Sequence, residues 1–396
     1  MYKIARWVRG SAKVWPAAAF CAGAAVILCL PSGERASPGG CRAGTVCAPP
    51  AVHAQALAGA SQEGETRIVT DEADAALAIL ERSRAGNPVT ARDWTRLFTS
   101  EGYQRLKQRE ESMGRAFSDS AFRTFLLADS VVAKAPRLRE TLESWRATDL
   151  EGAARLARAY LPAGSRLAAA LYPVIKPLPN SFVFEAKSRP AIFMYVDPEV
   201  SRVRLENTLA HELHHIGLAS ACAGAEEEAS SEAVRTALLW ASAISEGVAV
   251  LAAAGGPEVH PHAVGTAQER ERWDRDAGRV PEDLPRLEAF LLDVVDGRLA
   301  SPDSVRAMGM SFFGYQGPWY TVGWTMAATI ERAFGRERLV AGLCDTRRLF
   351  ADYDAAARLI DASGETLPRW SPELLAKLAI PPATAPDSAA PAPSSP

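Results

Sequence analysis

Residues 197–221 read DPEVSRVRLENTLAHELHHIGLASA. Leu205, Leu209, Leu213 and Ile216 recur there at helical spacing. Asp197, Pro198 and Glu199 look like a helix start, with Asp as N-cap, Pro at the first helical position and an acid in the first turn. On the helix so predicted, His211 and His215 stand at i and i+4 and share one face. Leu209 and Leu213 each precede one of them by two residues, about 200° away around the wheel. One face thus suits a core and another carries imidazoles. The string HELHH at 211–215 matches H-E-x-x-H, in which two histidines hold one metal ion and the adjacent Glu212 acts on a water. Histidine is scarce, six in 396 residues, so a chance match is uncommon. The bland reading is a pair of surface histidines on an amphipathic helix. His214 reads as a supporting or solvent-facing residue rather than a ligand.

A catalytic zinc site needs a third protein donor and keeps one position for water. The pattern H-E-x-x-H-x-x-G-x-x-H does not continue here, because residue 221 is Ala and Gly217 comes one position early. The other solution is a glutamate on a following helix. Residues 231–254, SEAVRTALLWASAISEGVAVLAAA, suit one, with Ser230 or Ser231 as cap and Gly255-Gly256-Pro257 as the stop. Between Thr236 and Pro257 the one ionisable side chain is Glu246. A lone carboxylate in an apolar helix is costly to bury unless it is paired or binds a metal. Gly247 beside it removes bulk where another backbone or a substrate approaches. The rivals are Glu226, Glu227, Glu228 and Glu232; the first three form an acidic run of the kind found in solvated loops.

HELHH followed by ISEGVA (244–249) resembles the gluzincin metallopeptidases, whose ligands are two His and a downstream Glu. The chain is more closely similar to bacterial families described as zinc-dependent peptidases of unknown function. That similarity extends to NPVTARDWTRLFTSEGYQRLKQRE (87–110) and YTVGWTMAATIERAFGRERL (320–339), and so spans most of residues 65–360. The resemblance implies Zn2+ held by His211, His215 and Glu246, with Glu212 as catalytic base. It also implies a zincin-like core. Two features depart from named subgroups: Val250 stands where thermolysin-like enzymes carry an Asp, and no G-x-M-x-N substrate motif is present.

A tetrahedral oxyanion needs a donor besides the metal. GMSFFGYQGPWYTVGW (309–324) offers Tyr315 and Tyr320, and its glycines suggest close backbone approaches. Tyr320 opens a predicted helix 319–334 and is the first choice as a catalytic residue; the bland reading is a core aromatic. His260 and His262 are alternative donors on a loop. Two strand-like runs, 182–185 and 191–196, precede the metal helix, and a strand edge there could take an extended peptide.

The predicted fold class is α+β, mostly helical: a zincin-like catalytic region with a small sheet over 178–375, after a helical region over 57–177. Residues 70–175 read as helices punctuated by GNP, KAP and LPAG. Residues 1–56 read as a signal peptide or anchor, with Lys3, Arg6, Arg9 and Lys13 before the apolar run AAAFCAGAAVILCL. The expected location is therefore exported: periplasmic, secreted or attached to a membrane through the N-terminus. Residues 376–396 read as a disordered Pro/Ala/Ser tail. Without residues 1–56, the remaining 38 Lys/Arg and 46 Asp/Glu give a net charge of −8, which argues against nucleic acid as a partner. Cys222 and Cys344 could pair or stay free and buried. The function expected is peptide-bond hydrolysis on a peptide or protein substrate. The alternatives are a non-catalytic scaffold that keeps the fold, or a zinc hydrolase of a non-peptide substrate.

Overall fold

The computed structural model describes residues 66–222, 230–299, 301–362, 364 and 366–382, with the backbone of Cys21 and Ala22. The remainder of the predicted export segment, the rival acids Glu226, Glu227 and Glu228, and residues 383–396 lie outside the described residues. The architecture is α+β and mostly helical, around a small mixed sheet. Its strands are β1 (Cys21–Ala22), β2 (Arg67–Ile68), β3 (Ala170–Val174), β4 (Asn180–Phe184) and β5 (Ala191–Tyr195), in the order β1-β4-β5-β3-β2.

β3 and β5 run parallel in register Ala170↔Ala191 to Val174↔Tyr195, and β4 returns antiparallel with Phe182 opposite Phe193. The near-continuous apolar runs ALYPV and AIFMY suit strands covered on both faces. Tyr172, Phe193 and Phe182 stack in a row across the three strands, with ring centroids 5.1 Å apart at each step. The reading of 70–175 as helices makes residues 170–174 helical, and the structure corrects it to a strand. A five-residue apolar run has no period of its own, so only pairing with β5 settles it. β5, the strand just upstream of the helix that carries His211 and His215, is paired on both sides and offers no edge to a peptide.

The histidine helix spans Arg202–Ala221 and starts later than the sequence suggested. Ser201 is the N-cap, its side chain accepting from the Arg204 N–H. Asp197 instead closes a short turn, its Oδ1 accepting from the Glu199 N–H at 2.9 Å. A serine cap nearer the apolar repeat has displaced the Asp-Pro start.

Two apolar cores meet along this helix. The first joins the sheet, helix Asp71–Arg84 and the apolar face Leu205, Leu209, Leu213 and Ile216. The second gathers helices Glu232–Ala241, Ser245–Ala254, Val280–Val295, Pro318–Phe334 and Thr346–Asp361. Ser231 caps the first of these, and a 3-10 turn, Ser242–Ile244, divides it from the glutamate helix Ser245–Ala254. That helix ends at Gly255 in the left-handed conformation, φ 92°, as a C-terminal glycine stop should. Helix Pro372–Lys377 and the buried Leu378 extend the packed chain past residue 375. Cys222, at the end of the histidine helix, is disulfide-bonded to Cys344 across 122 residues, with Cα atoms 5.1 Å apart.

Candidate metal centre

The glutamate helix packs against the histidine helix, and Asn207 Nδ2 donates to the Ala253 carbonyl at 2.8 Å between them. This pairing lays Glu246 against the two imidazoles. His211 Nε2 and His215 Nε2 are 3.1 Å apart, and each lies 3.2 Å from Glu246 Oε2. Zinc–nitrogen bonds of about 2.0–2.1 Å in a tetrahedron place donors about 3.3 Å apart, so three donors on a near-equilateral triangle fit one face of that tetrahedron. Three buried donor residues thus converge at distances that one metal ion could bridge.

Burial and charge separate the two carboxylates. Burial would raise Glu246, but the His215 and His211 imidazoles outweigh it and hold this carboxyl down at about 2. Glu212 is pushed above the usual range, by burial first and by the Glu246 charge second, although both imidazoles oppose. Neither Glu212 oxygen has a hydrogen-bond partner among the described residues, although both are fully buried. A buried carboxylate in that state suits a ligand, water or proton absent from the protein itself. Burial lowers His215, yet the Glu246 carboxylate outweighs it and the net shift is upward.

His214 is buried and does not face solvent. Its Nε2 lies 3.0 Å from the Tyr160 carbonyl. Burial, with His215 next, pushes it down to about 3, so the neutral ring donates that bond. Its role is to tie the helix to the chain leaving helix Leu150–Arg158. Glu232 is exposed in the first turn of its helix.

Tyr320 is buried with its ring nearly parallel to His211, centroids 6.4 Å apart. Its helix, Pro318–Phe334, crosses the glutamate helix with almost no gap. A Cβ on Gly247 would lie 1.9 Å from the Trp324 nitrogen and 2.5 Å from the Tyr320 carbonyl oxygen. A Cβ on Gly323 would lie 2.2 Å from the Ile244 carbonyl oxygen. The expected close approach at Gly247 is therefore real, and it is backbone on backbone. Val250 packs with Trp273 and Tyr320. Tyr315 donates to Glu269, His260 pairs with Asp274, and His262 contacts Gln316, so these alternative donors are committed elsewhere. Sequence reasoning missed Trp273, Trp324 and the Arg204–Glu269 ion pair. No short-range pattern joins those residues.

Residues 94–362 match the model of a family described as "Putative zinc dependent peptidase (DUF5700)". The chain belongs to this family. The match covers about two thirds of its length and contains all of HELHH, Glu246 and Tyr320. No curated protein and no solved structure matches the chain. The zinc dependence in the family's description agrees with the His-His-Glu triangle.

Proposed function

We propose that this protein is a zinc peptidase of the gluzincin type with a zincin-like core, in which His211, His215 and Glu246 hold the metal and Glu212 is the general base. The observation that carries the reading is the donor triangle beside an unpartnered buried carboxylate. Zinc bound there supplies Lewis acidity toward a carbonyl and an attacking water. Glu212 takes the proton of that water and returns it to the leaving amine. Glu246 stays ionised and offsets the charge of the metal. Tyr320, stacked beside His211, is the oxyanion donor. The substrate is a peptide or protein. Export is supported by the Cys222–Cys344 disulfide, which belongs to an oxidising compartment.

The test is metal analysis of the purified protein together with cleavage of a peptide library. Glu212→Gln should keep one zinc per chain and lose hydrolysis by about a thousandfold or more. Glu246→Ala should lose the zinc. A Glu212→Gln protein with full activity, or a Glu246→Ala protein that binds zinc like the parent, overturns the assignment.

A further inference from the structure

The metal centre is closed. His211, Glu212, His215 and Glu246 are 6, 0, 4 and 2 % exposed. A peptide reaches such a site only if something moves, and the contacts around it indicate what.

Arg204, Thr208, His211 and His215 stand at i, i+4, i+7 and i+11, so Arg204 lies on the ligand face of the histidine helix, about 10 Å before His211. It pairs with Glu269, and both side chains are largely buried. Glu269 belongs to helix Ala267–Ala277, whose N-terminus it caps through Thr266. It also accepts from the Tyr315 hydroxyl. The same helix sends Trp273 against Val250 and Tyr320, and Tyr320 covers His211. Tyr315 and Gln316 lie in the loop 313–317, and Gln316 Oε1 accepts from His262 Nε2 at 2.8 Å. Gln316 holds φ 137°, a conformation that a non-glycine residue keeps only while its surroundings impose it. One ion pair therefore fastens a helix and a strained loop over the ligand face.

We propose that helix Ala267–Ala277 and the loop 313–317 form a lid over the metal centre, latched by Arg204–Glu269, and that substrate enters when this pair separates. The proposal rests on the peptidase reading for its purpose, but the lid itself can be tested without zinc. Glu269→Gln is the first variant: its one amide oxygen keeps the cap on Thr266, while the charge and the oxygen that faces Tyr315 and Arg204 are lost. Arg204→Gln is the second. Tyr315→Phe removes one hydroxyl and guards against a variant that does not fold.

Amide hydrogen exchange of the metal-free full chain should accelerate about tenfold over 267–277 and 313–317 in either charge variant, with helix Asp71–Arg84 unchanged. Tyr315→Phe should give a smaller acceleration in the same segments. The Arg204→Gln/Glu269→Gln double variant should go no further than the singles. In zinc-loaded protein, loss of zinc to a chelator should quicken by a similar factor. Unchanged exchange in the two segments overturns the lid, as does acceleration that spreads equally to Asp71–Arg84. A parent protein that binds no zinc overturns the peptidase reading instead, and leaves the exchange result to decide the lid.

Discussion

Gly247→Ala adds one methyl group at the crossing that positions Glu246. The new Cβ would sit 1.9 Å from the Trp324 nitrogen, 2.2 Å from the Gly323 carbonyl carbon and 2.5 Å from the Tyr320 carbonyl oxygen. All three atoms are backbone of one helix, so no side chain can rotate away. Ordinary contact begins near about 3.4 Å, and the two helices must part by about 1.5 Å. Alanine returns about 1 kcal/mol of helix propensity. Overpacking costs about 1–3 kcal/mol, and separation also loses contacts along both helices. The net effect expected is about 1–2 kcal/mol of destabilisation, a fall in Tm of a few degrees. The larger effect is on the metal. Zinc sites tolerate ligand displacements of about 0.2 Å, and Glu246 is the next residue along the moving helix. Zinc affinity should therefore fall by about 10–100-fold. Competition with a chromogenic chelator measures it, alongside thermal denaturation. Gly217→Ala is the control. The nearest atoms to its Cβ would be the methyl ends of Leu161 and Leu167, at 2.2 and 2.7 Å, and these can turn aside. If Gly247→Ala keeps the parent's zinc affinity within twofold and its Tm within about a degree, the crossing does not set the site.

Three further outcomes are expected. His214→Ala strips the Tyr160 carbonyl of its donor and should cost about 2 kcal/mol while leaving zinc stoichiometry at the parent's value; loss of zinc would make His214 a ligand. Replacing Cys222 and Cys344 by serine opens a 122-residue loop and should cost about 5 kcal/mol by the chain-entropy argument, with urea denaturation as the measure and an unchanged midpoint as the refutation. Glu72 is wholly buried, and burial first, with Asp71 adding, pushes its carboxyl from 4.5 up to about 8, against the Ile175 N–H bond that lowers it. The folded state thus holds a proton that the unfolded chain releases near 4.5, so this contribution is complete below that pH and is lost as pH rises through about 8. Lys176, pushed down to about 7 chiefly by burial, acts oppositely above that value. Between pH 5 and 7 the parent should lose stability relative to Glu72→Gln by on the order of 2 kcal/mol, read from paired denaturation curves. Parallel pH profiles would show that Glu72 is ionised in the native protein.

The helix bearing HELHH, its shared histidine face and the single carboxylate of the following apolar helix were legible because each depends on residues a few positions apart. Periodicity, a lone charge among apolar residues and a glycine stop all survive in a linear reading. The start of the histidine helix was less legible, since Asp197 and Ser201 are both competent caps and packing chose between them. β3 was hidden because a short apolar run gains strand character only from its partner, β5. The sequence by itself determined which groups could bind a metal: two imidazoles one turn apart and a carboxylate too isolated to be left unpaired. Tertiary structure alone decided that they meet. Glu246 reaches the histidines from 31 and 35 residues away, on a helix that glycines at 247 and 323 let close backbone to backbone on helix Pro318–Phe334. Tertiary structure alone also joined Cys222 to Cys344 and Arg204 to Glu269. Contacts of that kind depend on the mutual packing of whole helices, which no local pattern encodes.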